Sequence, residues 1–348
     1  MQSVRSSISI SRAALLFAAG ALALLLALEL AFRLLPVSTS TRAGYYIAPR
    51  IVTYPPGHRF TIATGWDLRN AHTFRANNYG FVARHDFEPN PRAIALIGDS
   101  FVEANMLAPE ARVDAHLEQL TGRPVYAMGG PGSSLLDYAE RARFAADEFG
   151  IRDFVLVIER YDVRQTLCGS GNVDGACLDP TSLEPSTELA PTPGTAKRLL
   201  RESALAQYLF SQIRFNPARF IAELRDAPGV PPATTGEPDG ALDAMRTDAI
   251  IDAFLEALPQ DGGIRHTLVF DADRKALARG RPAQEPERER LIARSRKAGL
   301  TVVDLAPVFS GHLQSSPLAL EVGPYDGHWN ALATRLVAQA AFSGGALQ

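Results

Sequence analysis

From about residue 91 onward, short apolar runs alternate with amphipathic stretches of helical length, and this alternation limits the fold more than any other feature. Strands joined by helices are the pattern of β-α-β units, which build a parallel sheet with helices on both faces. We therefore expect an α/β fold, a three-layer α/β/α sandwich around a five-stranded parallel sheet. The strands are predicted near 93–97, 124–128, 153–159, 266–270 and 301–305. The helices are predicted near 109–121, 134–149, 241–258, 284–298 and after Trp329.

An apolar run near the N-terminus predicts a transmembrane helix. Residues 13–32 contain a single acid, Glu29, and about 20 such residues are enough for a helix to cross a bilayer. A buried core helix is one alternative, but it needs a polar face, which this run lacks. A cleaved signal peptide is the other alternative, although no small-x-small cleavage site stands just after the run. We favour an uncleaved anchor over residues 13–35.

Arginines on either side of the run bear on its orientation. Arg5 and Arg12 precede it, which favours a cytoplasmic tail over residues 1–12 and export of the rest of the chain. Arg33 and Arg42 follow the run and weaken this bias. The expected location is the inner (cytoplasmic) membrane, crossed once, with the main domain on the periplasmic or extracytoplasmic side.

Two stretches lie outside the alternating pattern. Residues 36–90 are rich in Pro, Arg, Thr and aromatic residues with little periodicity, and they are predicted to form a stalk and a pre-domain segment. Residues 165–245 are predicted to be an insertion, with Pro- and Gly-rich ends around a helical patch near 196–224. The main domain is then expected over residues 91–345.

The two cysteines, Cys168 and Cys177, lie close together in the segment CGSGNVDGAC. The glycines and the asparagine between them let the ends meet, so a disulfide is geometrically easy and agrees with export. Free thiols and half of a metal site are the alternatives. No histidine lies in the segment, which makes a metal site the weaker interpretation.

The charge of the chain bears on its partners. The formal net charge is −3, with 35 Lys and Arg residues against 38 Asp and Glu residues, and no run of basic residues occurs. This balance provides no electrostatic footprint for nucleic acid, so we expect no nucleic-acid partner. No sequence feature identifies a protein partner.

A small polar turn follows the first predicted strand and carries Ser100, within the segment ALIGDSFVEAN. Open parallel sheets bind ligands beyond the carboxyl ends of their strands, where this hydroxyl is expected. A serine nucleophile needs a base, and the base needs an orienting carboxylate. His328 and Asp326 lie in YDGHWN, in a loop after the last predicted strand, and Asn330 can cap the following helix. The alternative is a pair of plain turns with a surface histidine.

Four segments together resemble the SGNH/GDSL hydrolase superfamily in its membrane-anchored bacterial form. GDSF at 98–101 matches the first block of that family, and DGHWN at 326–330 matches its last block. AMGGPGSSLLDY at 127–138 is similar to the second block, and RANNYGF at 75–81 is similar to the lead-in before the catalytic domain. The resemblance covers most of residues 70–345. It implies a flavodoxin-like version of the sandwich and chemistry that requires no metal or organic cofactor.

The resemblance also implies a role for each site residue. Ser100 is the expected nucleophile, His328 its base, and Asp326 the carboxylate that orients the imidazole. The backbone N–H groups of Ser100 and Gly132 are expected to form the oxyanion hole. In the alternative interpretation, Gly132 belongs only to a flexible strand-to-helix turn.

Two departures from the family pattern matter. The third block usually supplies an Asn to the oxyanion hole, whereas the matching segment IERYDVR has Tyr161 at that place. Arg160 offers a replacement, since a guanidinium carries fixed donors and a full charge. The alternative is a salt bridge from Arg160 to Glu159 or Asp162. The same ERY segment resembles SGNH-like proteins of polysaccharide O-acetylation, the alginate acetylation group. The last block is also one residue shorter than the common Asp-x-x-His.

The resemblance implies an acyl-ester hydrolase or O-acetyltransferase with a Ser-His-Asp triad. An exported, tethered domain of this type faces glycans, so O-acetyl groups on cell-envelope or extracellular polysaccharide are the expected substrate. The mixed, polar composition of the insertion favours a polar substrate over the alternative, a lipid or simple ester. A non-catalytic polysaccharide-binding scaffold is a further alternative, and the intact Ser100, Asp326 and His328 argue against it.

Overall fold

The computed structural model describes residues 3–47, 51–68, 70–170, 175–189, 192–215, 242–260, 262–280, 284–323, 326–344 and 347. The chain divides into two compact units. The N-terminal unit consists of the described residues within 1–41, 60–73 and 192–231, and the sheet unit consists of the remaining described residues. The predicted pre-domain segment and the predicted insertion each contribute residues to both units.

The chain begins with a helix and four short strands, and from residue 94 onward helices lie between most consecutive strands. The strands are β1 (Gly44–Ile47), β2 (Ile51–Thr53), β3 (Arg59–Ile62), β4 (His72–Arg75), β5 (Ile94–Gly98), β6 (Val125–Gly129), β7 (Asp153–Ile158), β8 (Ala176–Leu178), β9 (Pro185–Thr187), β10 (Arg265–Phe270), β11 (Thr301–Asp304), β12 (Glu321–Gly323) and β13 (Asp326–Trp329). The helices are α1 (Ser3–Leu34), α2 (Ser100–Glu103), α3 (Val113–Thr121), α4 (Leu135–Phe149), α5 (Asp162–Gln165), α6 (Thr195–Glu202), α7 (Ala204–Ala206), α8 (Ala244–Ala257), α9 (Arg274–Ala278), α10 (Pro286–Lys297), α11 (Leu305–Ser315) and α12 (Ala331–Ser343). A 3-10 turn (Pro109–Ala111) precedes α3, and a π-helix (Gln207–Gln212) follows α7.

The central sheet confirms the predicted five-stranded parallel arrangement. Within the described part of the chain, its strands lie in the order β11-β10-β7-β5-β6, and every neighbouring pair is parallel. Each strand lies within one or two residues of its predicted position. Strand β5 is in the interior of the sheet, with Gly98 opposite Gly129 of β6 and Ile97 opposite Leu156 of β7. The carboxyl ends of β5, β6 and β7 therefore meet at one edge.

Helices cover both faces of the central sheet, which confirms the α/β/α sandwich. One face packs against α4, α8 and α10, and the other packs against α3, α11 and α12. Successive side chains of β5 point to opposite faces, so Ala95 and Ile97 enter the first core while Ile94 and Leu96 enter the second. This arrangement explains why the strands are continuous apolar runs without alternation.

The region after β11 differs from the sequence prediction. Helix α11 begins directly after the strand, and the predicted loop around His328 is instead strand β13, paired antiparallel with β12. Pro307 and Gly311 hide α11 in the sequence, because both residues disfavour helix interiors. Pro307 is tolerated because it lies in the first turn, where its missing N–H has no helical partner. Asp304 caps the helix through the backbone N–H of Ala306.

The N-terminal unit contains the apolar helix that was predicted. Residues Arg12–Leu34 of α1 are long and apolar enough to cross a membrane, and none of this stretch is buried. The predicted helical patch near 196–224 is found as α6, α7 and the π-helix, up to Gln212. Residues 1–2 of the predicted tail, residues 216–241 of the predicted insertion, and residue 345, where the predicted main domain ends, lie outside the described residues.

Candidate active site

Ser100 is held at the carboxyl end of β5 by a tight strand-to-helix turn. The Asp99 carboxylate accepts a hydrogen bond from the Phe101 N–H at 2.8 Å and caps α2, whose first residue is Ser100. At Gly98 a Cβ atom would collide with the Val102 side chain, so glycine allows α2 to pack closely against the strand end. The turn therefore presents the Ser100 hydroxyl at the edge of the sheet, where the sequence places it.

His328 and Asp326 reach Ser100 from β13. Residues two apart on a strand share one face, so the spacing Asp-x-His points both side chains the same way. The Asp326 Oδ1 atom lies 2.6 Å from His328 Nδ1 and also accepts the His328 backbone N–H at 3.0 Å. His328 Nε2 lies 2.8 Å from Ser100 Oγ. The three predicted residues thus form one continuous chain of hydrogen bonds.

This chain of hydrogen bonds defines what each atom can do. With Asp326 accepting at Nδ1, the Nδ1 atom carries the imidazole proton, and Nε2 is left as an acceptor toward the Ser100 hydroxyl. The arrangement is that of a hydroxyl activated by a base whose tautomer is fixed by a carboxylate. Both side chains of the His–Asp pair are about one-quarter to one-third exposed, at 30% and 26%, so a substrate can reach them.

Gly132 lies in the turn that follows β6, next to the strand end that carries Ser100. Its φ of +76° is in the left-handed region, which glycine adopts without a steric cost. The Gly130 N–H donates to the Gly98 carbonyl at 3.1 Å and links this turn to the end of β5. The buried Arg141 guanidinium donates to the Gly98 carbonyl at 3.0 Å and to Ser133 Oγ at 2.9 Å. These bonds hold the Gly132 turn against the Ser100 turn.

Arg160 follows β7 and lines the same edge, but its partners differ from those the sequence suggests. Its guanidinium lies 2.5 Å from Asp273 and 3.5 Å from Glu285, and it donates to the hydroxyl of Tyr161. It also stacks over the Tyr161 ring, 4.5 Å from the centroid. Burial opposes its charge, but the bonds to Asp273 and Tyr161 raise the pKa of Arg160 overall. Arg160 is therefore a fixed cation.

A second arginine, which sequence reasoning missed, supports the His328 strand. The Arg274 guanidinium donates to the Gly327 carbonyl at 2.6 Å and to the buried Asp271 carboxylate. Asp271 also accepts the Trp329 indole N–H at 3.0 Å. Gly327 and Trp329 flank His328, so this network fixes the strand on both sides of the imidazole. The segment FDADR could have indicated these residues in the sequence, because it places two aspartates and an arginine at the carboxyl end of β10.

Three acids lie close together near the Ser100 turn; Asp99 and Asp162 are buried, and Glu159 is partly buried. Burial raises the pKa of Asp99 to about 6, against the opposing effect of its bond from Phe101. Burial and the neighbouring Asp99 raise the pKa of Glu159 to about 8. The same two causes raise the pKa of Asp162 well above its usual value. Near neutral pH, Glu159 is therefore mainly protonated, and Asp99 carries a negative charge beside the Ser100 turn.

A cavity of about 470 Å³ opens beside His328. Most of its lining side chains are charged, with Phe101 and Ala272 adding apolar surface. The acidic and basic lining residues are Glu159, Arg160, Asp271, Asp273, Arg274, Lys275, Arg279 and Glu321. Among the residues that the structure describes, no group of three or more His, Cys, Asp or Glu side chains is placed to hold a metal ion.

Cys168 and Cys177 form a disulfide, with their Cα atoms 5.2 Å apart. Cys177 lies in the short strand β8, and the backbone of Cys168 donates to the carbonyl of Leu178 at 2.9 Å. The bridge therefore closes the loop after α5 onto β8. It does not contribute a side chain to the cavity beside His328.

No family model and no curated protein matches the chain. Among solved structures it aligns with a lipolytic protein of the G-D-S-L family from Veillonella parvula, at 10% identity over 72% of this chain and 96% of that chain, with a TM-score of 0.37. It aligns with an acetylxylan esterase from Geobacillus stearothermophilus at 12% identity over 73% and 93% of the two chains, with a TM-score of 0.38. It also aligns with the catalytic domain of peptidoglycan O-acetyltransferase A from Streptococcus pneumoniae at 11% identity over 72% and 91%, with a TM-score of 0.34. Superpositions of this quality carry no activity or substrate over to this chain.

Proposed function

We propose that the protein is a serine-dependent acyl-ester hydrolase or O-acetyltransferase of the SGNH type. The single observation that carries the proposal is the hydrogen-bonded chain from Ser100 Oγ to His328 Nε2, at 2.8 Å, and from His328 Nδ1 to Asp326, at 2.6 Å. The sequence motifs single out the same three side chains. A plain surface turn does not account for three polar side chains in this order and geometry.

In the proposed reaction, Ser100 Oγ attacks the carbonyl carbon of an ester while His328 Nε2 takes the hydroxyl proton. Asp326 holds the imidazole and stabilises the imidazolium that forms. The imidazolium then gives its proton to the leaving alcohol, and an acyl-serine remains. Water or a sugar hydroxyl, deprotonated by His328, releases the acyl group and regenerates Ser100. Hydrolysis and transfer share the acyl-serine and differ only in this acceptor.

The oxyanion of the tetrahedral intermediate needs donors placed before the reaction begins. The backbone N–H groups of Ser100 and Gly132 are proposed for this role, with Arg160 as a third donor. A guanidinium has N–H donors in a fixed fork, and Arg160 lines the cavity beside His328. One such donor is worth about 10²- to 10³-fold in rate.

The lining of the cavity favours a polar substrate. Acidic and basic side chains form most of the walls beside His328. Phe101 is the large apolar side chain among the described lining residues. A long acyl chain needs an apolar pocket, whereas sugar hydroxyls find hydrogen-bond partners on a charged wall. We therefore propose O-acetyl groups of cell-envelope or extracellular polysaccharide as the substrate.

The apolar stretch Arg12–Leu34 is proposed to anchor the protein in the inner membrane. The positive-inside rule places the N-terminal tail in the cytoplasm, and the triad on the periplasmic or extracytoplasmic side. A disulfide between Cys168 and Cys177 agrees with that oxidising side.

The test is acetyl release from acetylated polysaccharides by the purified full-length protein, with and without a de-acetylated glycan acceptor. Free acetate that depends on Ser100 supports a hydrolase, and acetyl groups on the acceptor support a transferase. Ser100→Ala is the matched control. Polysaccharide binding with no acetyl release from any substrate would instead support a non-catalytic scaffold and contradict the proposal.

A further inference from the structure

Within the N-terminal unit, the one acid of the apolar stretch is fully engaged. The Glu29 carboxylate accepts hydrogen bonds from Ser203 Oγ at 2.7 Å and from the backbone N–H groups of Ala204 and Leu205 at 3.0 and 3.1 Å. An ionised carboxylate in hydrocarbon is costly unless such partners surround it. The backbone at the start of α7 therefore covers α1 at this depth.

Further contacts attach the same segment to the end of the apolar stretch. The rings of Phe32 and Tyr208 stack with their centroids 4.4 Å apart, and Arg33 donates to the Glu202 carbonyl at 3.3 Å. Gln212 accepts from the backbone N–H of Ser38, which follows α1, at 3.1 Å. A helix rises 1.5 Å per residue, so Glu29 lies only about 8 Å below the end of the stretch at Leu34. These contacts place the segment at the depth of the lipid headgroups when α1 spans a bilayer.

The surface of this segment has the composition of a helix that lies in a membrane interface. In α6, Leu199 and Leu200 are 69% and 51% exposed, and at 100° per residue they share a face with Ala196. Trp66, which is 79% exposed, lies nearby because its carbonyl accepts the Tyr208 hydroxyl at 3.4 Å. The basic residues of α6, on its other face, are Lys197, Arg198 and Arg201.

We propose that residues 195–215 and 64–68 form a membrane-surface platform that lies on an anionic lipid bilayer. The leucines of α6 and the Trp66 ring enter the boundary of the acyl chains, and the basic side chains reach the lipid phosphates. The bilayer is the occupant because the platform is bonded to the end of the stretch that spans it. This inference rests on the membrane anchoring proposed above.

The experiment is a depth measurement on the full-length protein in proteoliposomes. A nitroxide spin label is placed at Leu199→Cys, with the native cysteines held in their disulfide, and its collisions with oxygen and with a water-soluble nickel complex are compared. In vesicles of phosphatidylcholine and phosphatidylglycerol, the oxygen-to-nickel ratio at position 199 should be severalfold higher than at Arg201→Cys, which lies about 200° away on the same helix. Replacing Lys197 and Arg198 with Glu should lower the ratio at position 199 in these vesicles and change it little in phosphatidylcholine alone.

The oxygen-to-nickel ratios and the flotation of the protein with the vesicles test the platform and the anchor separately. Flotation of the protein with the vesicles, together with equal oxygen-to-nickel ratios at positions 199 and 201, overturns the platform and leaves the anchor intact. Failure to float overturns the anchor and the platform together. Spin–spin broadening at position 199 that disappears when the protein is diluted with lipid assigns the leucines to a second copy of the chain and also overturns the proposal. Thermal melting of each labelled variant verifies that it is folded.

Discussion

Ser100 and His328 lie 228 residues apart in the chain, yet their side chains meet at hydrogen-bond distance. Each owes its position to a local device. The Asp99 cap turns the chain sharply after β5, and the extended backbone of β13 directs Asp326 and His328 to one face. The chemistry therefore depends on backbone geometry at two short segments as much as on the identity of the three residues.

At the triad, we expect single substitutions to act almost as strongly as complete removal, because the three groups work as a unit. Ser100→Ala and His328→Ala should each abolish measurable turnover of a small aryl acetate. Asp326→Asn should lose about 10⁴-fold in kcat, because the amide favours the wrong imidazole tautomer. Steady-state kinetics and melting curves on the same samples are the measurement. Near-normal turnover by the Ser100 variant would rule out the proposed nucleophile.

Arg160 tests whether a guanidinium completes the oxyanion hole. Arg160→Ala should lower kcat and kcat/KM together, by roughly 10²-fold, with KM little changed, because the oxyanion exists only in the transition state and intermediate. Arg160→Lys should recover only part of this loss, since an ammonium lacks the planar fork.

Asp273→Asn is the matched control for Arg160, since it removes the closest ion-pair partner and keeps the guanidinium. It should lower the melting temperature more than it lowers turnover. An Arg160→Ala protein that is destabilised but fully active would leave the oxyanion hole to the backbone N–H groups of Ser100 and Gly132.

At the scale of elements, β13 is a short strand outside the central sheet and needs support from its neighbours. The Arg274 network provides this support. Arg274 is only 8% exposed, and its guanidinium donates hydrogen bonds to both the Gly327 carbonyl and the Asp271 carboxylate. Phe101 fills the space between, with its ring 4.9 Å from that of His328 and 5.5 Å from the Arg274 guanidinium. Strand β13 is thus fixed by α9 and α2 together.

Removing this support should displace the imidazole without unfolding the sheet. Arg274→Ala should lower kcat by roughly 10- to 100-fold, the size expected when a catalytic group moves by about 1 Å. Arg274→Lys should restore part of it, since an ammonium can still reach the Gly327 carbonyl. Arg143→Ala, which removes a guanidinium bonded to the Ala257 carbonyl at 2.8 Å elsewhere in the sheet unit, is the control and should keep wild-type kcat. Equal losses in both variants would mean that Arg274 acts only on general stability.

The elements that sequence could predict are those with a local signal. Strands such as β5 and β7 are buried on both faces and read as unbroken apolar runs, and Asn330 caps α12 through Leu332 and Ala333 as expected. Helix α11 was missed because Pro307 and Gly311 mask its pattern, and β13 was missed because it depends on pairing with β12. Contacts between residues far apart in the chain have no local pattern in the sequence from which they could be predicted.

The same distinction applies to the site. Ser100, Asp326 and His328 are marked by short motifs. Ser100 follows β5 of the central sheet, whereas Asp326 and His328 lie on β13, which pairs with β12 outside that sheet. The carboxylate partners of Arg160, Asp273 and Glu285, lie more than one hundred positions along the chain, and residue spacing cannot specify them.

At the scale of the whole molecule, a buried carboxyl makes stability depend on pH. Burial, partly offset by bonds from Tyr54 and Asn105, raises the pKa of Glu103 to about 7. In the unfolded chain its pKa is about 4.3, so between these values only the folded state holds the proton. The free energy of unfolding therefore falls as pH rises from about 4 to about 7, by an amount on the order of 3 kcal/mol for this group.

We expect the melting temperature of the wild type to fall between pH 5 and pH 8, and Glu103→Gln to show a shallower fall, since its amide does not titrate. Circular dichroism melts across this range provide the measurement. Asp147→Asn, an exposed position on α4, should retain the wild-type slope. A steeper slope in the Glu103 variant, or the same slope in all three proteins, would contradict the assignment of the buried proton to Glu103.

The most direct test of the account is the mass of the intact protein after treatment with a serine-directed fluorophosphonate. Only a hydroxyl whose proton is taken by a positioned base reacts quickly with such a probe. We predict one adduct on the wild type, located on Ser100 by peptide mapping, none on Ser100→Ala, and strongly slowed labelling of His328→Ala. An adduct that persists on Ser100→Ala, or a folded wild type that is never labelled, would contradict the claim that Ser100, His328 and Asp326 form a working acyl-transfer site.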